Sequence, residues 1–364
     1  MPQETMSSRE RILAVMEGLE VDRFPVWLKM ANSTWKASQP EPYRSMDEIT
    51  LLREAGCDLF LNNWTRVERS TPYVKQTVQN GENLKTTVYE TPDGPLVASE
   101  HYDVYTSSWH PAKYPVETAS ELRMLRWLFT DTTYRVESGR AEAAQAKQRE
   151  FVANDAVTSA GIGPGPLMSL VEHLCGPENT TFLMYDEREL FEETLQIMHE
   201  DRMRHLKALL PVTHADAFWL IENTSTSLIS PQMFRDYCMP HLRDYGNLIR
   251  EHEIIAVHHM CGLLNPILEM IDELPAQVNE AYTTRPLGNV SLAEGRRRMP
   301  SKALIGGTNA VLWMNPVEEI VQTVADDLAQ CPDRRRIFLS SAGILPPGVD
   351  MAKARQVVEG LKKL

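Results

Sequence analysis

The second half of the chain alternates short apolar runs with amphipathic stretches at nearly regular intervals, and that rhythm leaves few folds open. Apolar runs fall at 217–221, 254–257, 277–280, 303–307 and 337–340, while helical periodicity covers 187–210, 231–250, 292–298, 317–329 and 351–361. Strands that alternate with helices in this way pair in parallel, with each helix as the crossover. The number of units predicts a (β/α)8 TIM barrel, in which chemistry sits at the C-terminal ends of the strands. A doubly wound open sheet is the alternative fold.

The first half fits the same rhythm with one interruption. Ser7-Ser8-Arg9-Glu10 reads as a capping box, followed by a helix through Leu19 and a strand at Val26-Trp27-Leu28. A helix over 46–55 ends at Gly56, and Leu59-Phe60-Leu61 is the next strand. Residues 70–116 alternate β-branched and polar residues around Asp93-Gly94, a strong hairpin signal, and read as a β-hairpin insertion. Helices are expected over 118–126 and 134–149, and Phe151-Val152-Ala153 is expected to open a strand ending in the glycine cluster 161–166. That cluster lacks the Lys-Ser/Thr of a P-loop and the GxGxxG register, so it reads as a strand-to-helix turn. No composition shift marks a linker, and residues 1–364 are expected to form one barrel domain.

Net charge of −13 argues against nucleic acid and anionic membranes as partners. Five cysteines without framework spacing suggest a reducing compartment. The polar Met-Pro-Gln-Glu-Thr-Met start lacks a signal-peptide core, and no apolar run is long enough to span a membrane. A cytoplasmic protein is expected.

In a barrel, the strand ends converge on one cup, and reading them off brings together Glu222-Asn223, His259, Cys261, Glu280, Asn309 and the Ser340-to-Gly343 turn. His259 and Cys261 lie two apart on one strand and share a face. Imidazole and thiolate are preferred zinc ligands, and Glu280 on the next strand would supply a carboxylate and leave one position open. Taken alone, this histidine can equally be a satisfied core residue, Cys261 a small buried hydrophobe, and Glu280 a salt-bridge partner of Arg285. Glu222 is the candidate acid, or a hydrogen bonder without a metal role. Trp27, Met30, Asn63, Trp64, Trp219, Asn223 and Asn309 are the candidate substrate contacts, with Trp35 and Trp109 at the rim. The tryptophans suit a fairly apolar, planar substrate, although aromatics more often fill a core.

Arg9-Glu10-Arg11-Ile12-Leu13 through Asp22-Arg23-Phe24-Pro25-Val26 resembles the opening of uroporphyrinogen decarboxylase-like proteins. So do His259-Met260-Cys261-Gly262, Ile305-Gly306-Gly307-Thr308-Asn309, and Leu339-Ser340 running into Pro346-Pro347-Gly348. The resemblance spans nearly the whole chain outside the insertion and implies a (β/α)8 barrel. Two activities compete within it. The decarboxylases carry arginines after the first strand to grip porphyrinogen carboxylates, whereas this chain has Lys29-Met30-Ala31-Asn32-Ser33-Thr34-Trp35. The corrinoid-dependent zinc methyltransferases share His-x-Cys, but their later cysteine corresponds here to Gly343, and Cys331 lies before the strand. Cobalamin-independent methionine synthase adds a glutamate to its His-x-Cys, and Glu280 falls where such a residue would.

The resemblance therefore implies a zinc-dependent methyltransferase. It would move a methyl group between a small donor, such as a methoxylated aromatic in an O-demethylase reaction, and a corrinoid (cobalamin) carried on a partner protein. A homodimer is one assembly open to such a chain, and the sequence does not choose among them. Uroporphyrinogen decarboxylation and a non-catalytic barrel are the alternatives.

Overall fold

The computed structural model describes residues 4–104 and 108–364. The first three residues of the polar N-terminus, and residues 105–107 of the insertion, lie outside this description. Eight parallel strands form the barrel: β1 (Val26–Lys29), β2 (Phe60–Asn62), β3 (Val157–Ile162), β4 (Ala217–Ile221), β5 (Ile255–His259), β6 (Val278–Tyr282), β7 (Ala303–Gly307) and β8 (Ile337–Ile344). They run in the order β1-β8-β7-β6-β5-β4-β3-β2. The two ends of this sheet meet through Asp58, whose amide donates to the Val26 carbonyl (2.8 Å) and whose carboxylate accepts the Val26 amide (2.8 Å). The open-sheet alternative is thereby excluded.

The apolar runs became strands because almost every residue in them is buried on both faces, as a parallel sheet wrapped in helices requires. Trp27, Phe60, Trp219 and Phe338 point inward and fill the barrel, with ring centroids 5.2 Å apart for Trp27–Phe60 and 6.2 Å for Trp27–Trp219. The capping box at Ser7 and Glu10 forms as read, and another starts the helix Leu292–Arg298. No helix among the described residues is long and apolar enough to cross a membrane.

Three expectations need correction. Phe151-Val152-Ala153 ends the helix Arg140–Ala153, and the strand opens later, at Val157. Ahead of that helix, Thr133–Arg135 is a short strand paired with Glu68–Ser70. The insertion is also more than a hairpin. Strands Lys75–Asn80, Leu84–Thr91, Gly94–Asp103 and Ser108–Lys113 make a four-stranded antiparallel sheet, with Asp93-Gly94 at its central turn.

Candidate active site at the barrel mouth

β5 delivers its two histidines to opposite faces. His258 is 1 % exposed, turned away from the mouth, and burial pushes its pKa down to about 3. His259 turns inward, its ring stacked at 5.9 Å on the Trp219 indole. In the β5–β6 ladder His259 is in register with Glu280, and the Glu280 Oε2 lies against the His259 Nδ1. Cys261 follows two residues on, and with Nδ1 taken by Glu280 the ring's Nε2 is the nitrogen left for another partner. Burial works against a charged ring, but Glu280 and Cys261 outweigh it and raise the His259 pKa to about 9.

The second oxygen of Glu280 is held by Lys29 from β1, with Nζ–Oε1 at 2.5 Å. The contact is a close ion pair without the directed geometry of a hydrogen bond. Glu280 is fully buried, and burial alone would raise its pKa, yet Lys29 and His259 hold it below the usual glutamate range. The salt bridge to Arg285 does not form, because Arg285 pairs with Glu294 (2.8 Å).

On the other side, the exposed Cys261 thiol points at Asn223 Oδ1 (3.7 Å), and Asn223 Nδ2 donates to Glu172 Oε2 (2.9 Å). Glu172 sits in a π-helical turn, Leu170–Leu174, after β3. Burial raises its pKa, and its Oε1 has no hydrogen-bond partner among the described residues. Two linked groups, Lys29–Glu280–His259 and Cys261–Asn223–Glu172, thus meet at the end of β5 and together form a line across the mouth.

The remaining candidates divide sharply. Trp27 and Trp219 are each 7 % exposed and form the floor beneath Lys29, whose ammonium lies 5.7 and 5.6 Å from their ring centroids. Trp64 is exposed and lies beside Gly161 at the end of β3. Met30 is fully buried. Asn63 is spent on the carbonyls of Ala144 (3.0 Å) and His214 (2.5 Å). Asn309 is spent on the Arg285 carbonyl (2.9 Å) and the Leu312 amide (3.0 Å). All three are buried, and the two asparagines already hydrogen-bond within the fold. Trp35 is buried, with its indole donating to Val349, and Trp109 stands on the insertion sheet against Tyr102.

Glu222 is sealed as well, at 1 % exposure, with Oε1 taking the Gly165 amide (2.6 Å) and burial raising its pKa to about 7. Lys29 and Glu172 are the residues that sequence reasoning missed. Lys29 carried a signal, since it lies two residues after the inward Trp27. Glu172, on a helical turn rather than a strand end, carried none.

As a metal centre the arrangement fits in part. His259 and Cys261 bring an imidazole and a sulfur to the same end of β5, with the ring oriented from behind by a carboxylate, as metal-bound histidines usually are. Glu280 does not fit as the third ligand, because both its oxygens are committed. Among the described residues, no group of three or more His, Cys, Asp and Glu side chains is placed to hold an ion together.

A (β/α)8 barrel with its reactive side chains at the C-terminal strand ends is an enzyme-type architecture. The chain belongs to the uroporphyrinogen decarboxylase (URO-D) family, whose model matches residues 141–364. Among solved structures, one described as a methyltransferase from Methanosarcina mazei is 17% identical, with 98% of this chain and 99% of that chain covered, at a TM-score of 0.60. A Listeria monocytogenes structure described as a vitamin-B12 independent methionine synthase is 16% identical over 60% of this chain and 69% of that one, at a TM-score of 0.35. At these identities the likeness shows the fold alone, and the second is too weak to argue from. No curated protein sequence matches the chain.

Proposed function

We propose that this protein is a methyltransferase that moves a methyl group between a small methylated donor and a corrinoid carried on a partner protein. The observation that carries the reading is the accessible Cys261 thiol two residues beyond the inward-facing His259, whose Nδ1 is held by Glu280. The Methanosarcina structure described as a methyltransferase matches almost end to end and supports the same reading. Decarboxylation of a many-carboxylate porphyrinogen is disfavoured, because the β1 cation, Lys29, is already committed to Glu280.

His259 and Cys261 are the residues that would hold zinc. Zinc in such a site supplies Lewis acidity and keeps a bound thiolate reactive. The protein's own groups do the rest. Trp27 and Trp219 form an apolar floor, and the exposed Trp64 offers a planar face at the rim, which suits a methoxylated aromatic donor. As a free thiol, Cys261 donates to Asn223 Oδ1 (3.7 Å), a contact that the thiolate gives up when it takes a metal. Glu172, whose pKa burial raises, takes the acid role expected of Glu222 toward the leaving oxygen of an O-demethylation.

The test is elemental analysis of the purified protein, then methyl transfer from methoxy compounds and thiols to reduced cobalamin. Wild type is expected to carry zinc and turn over, and both properties are expected to vanish in His259→Ala and Cys261→Ser. Glu172→Gln should keep the metal and lose about 10²–10⁴-fold in rate. A fully loaded metal assay showing no zinc in wild type would overturn the zinc reading, and unchanged turnover in Cys261→Ser would overturn the site.

A further inference from the structure

We propose that Lys29 is a positioning residue of this centre: its ammonium fixes the buried Glu280 carboxylate, and through it the face that His259 presents to Cys261. Three strands meet in this contact, with Lys29 from β1, Glu280 from β6 and His259 from β5. Glu280 is 0% exposed, so no bulk water can replace a lost partner. A carboxyl group held at one oxygen only can still swing about its terminal torsion, which is broad and soft. Holding Oε1 at Lys29 (2.5 Å) removes that freedom and leaves Oε2 aimed at the His259 Nδ1.

The imidazole ring has a matching ambiguity, since a flip exchanges what its two nitrogens face. With Nδ1 tied to Glu280, Nε2 is the nitrogen left free at the end of β5, where Cys261 follows two residues on. Lys29 is itself confined. Its side chain is 15% exposed and its ammonium rests over the Trp27 and Trp219 rings, so the floor of the cup sets where the cation stands. The same pairing explains why Glu280 orients the histidine rather than joining Cys261 as a ligand. The inference rests on the reading of His259 and Cys261 as the reactive pair, but it does not require methyl transfer.

The test is proton NMR of the purified full-length protein, with imidazole nitrogens labelled and no methyl donor or corrinoid present. A strongly downfield proton on the His259 Nδ1 is expected in wild type, assigned by its loss in His259→Asn. It should disappear in Lys29→Met and in Lys29→Gln, and return in Lys29→Arg, which restores a cation. Thermal melts run in parallel establish that each variant is folded, and two neutral replacements are used so that one folding failure does not decide the outcome. Persistence of the resonance at its wild-type position in a folded neutral variant overturns the proposal, as does its absence from wild type. Failure of the methyl-transfer assay alone leaves this result standing, so the two ideas are separable.

Discussion

Arg11 takes a full charge into the base of the barrel, where it is only 1 % exposed. Its guanidinium is fully used, with Asp22 Oδ1 at 2.7 Å, Asp58 Oδ1 at 2.7 Å and the Met6 carbonyl at 2.6 Å. Asp58 is the residue that joins β1 to β2, so this cluster bears on barrel closure as well as on local charge. Removing one partner of a buried pair leaves an uncompensated charge, and Arg11→Met is expected to lose about 3–5 kcal/mol of stability. The measurement is urea unfolding at neutral pH. The pH dependence has a definite sign. The Arg11 hydrogen bond, opposed by burial and aided by the Met6 and Thr5 amides, holds the Asp22 pKa well below the usual aspartate value. Asp22 therefore contributes stability above that ordinary value and loses it as the pH falls through the depressed one. The gap between wild type and Arg11→Met should narrow below about pH 4. A gap that stays constant to strongly acid pH would place the cost elsewhere.

Two strand ends show what the sequence could and could not reveal. After β5 the chain turns at Gly262, where an added Cβ would lie 2.2 Å from the Ser225 Cβ and 2.6 Å from the Thr224 carbonyl oxygen. Gly262→Ala must push this turn away from the β4 loop and carry Cys261 with it. Slower thiol alkylation or a lower melting temperature is expected, and an unchanged value for both would contradict the packing argument. β8 ends differently. Between its contacts with Trp27 and Lys29 it bulges, with Ser340 and Ile344 opposite residues only two apart on β1. Gly343 lies in that bulge, and a Cβ there meets nothing within 4 Å. Gly343→Cys should therefore fold normally and, on the zinc reading, bind the metal about tenfold or more tightly in a chelator competition.

The barrel itself was legible because apolar runs alternated with helical periodicity, and the helices 292–298 and 351–361 fall where read. The run Phe151-Val152-Ala153 misled because a buried helix end and a strand start look alike over three residues. The partners of Glu280 were not legible for another reason. Strand order gave its neighbour His259, but only the closing of β1 across the mouth brings in Lys29.

At the scale of the whole molecule, two bodies of structure differ in how deeply they are held. β3, β4, β6 and β7 are buried almost throughout. In the insertion sheet, by contrast, Lys75–Asn80 is exposed along its full length, and Leu96 and Thr87 are among the few buried side chains in the central strands. Its ties to the rest include the Trp127 indole donating to Asp93 (2.7 Å) and the Tyr73–Trp127 ring contact at 5.2 Å. The family match begins at residue 141, beyond this sheet. Opening free energies follow buried apolar contact, so the sheet should open by itself well below the cost of global unfolding. Native-state hydrogen exchange is expected to rank amides in Lys75–Asn80 fastest, Leu84–Thr91 and Gly94–Asp103 intermediate, and β3 through β8 slowest. Exchange of the sheet at the global rate, in step with β5, would mean that it is an integral part of the barrel's cooperative unit. Independent opening would instead leave the Lys29-to-Glu172 line intact, because every member of that line is carried by a barrel strand or by a segment that follows one.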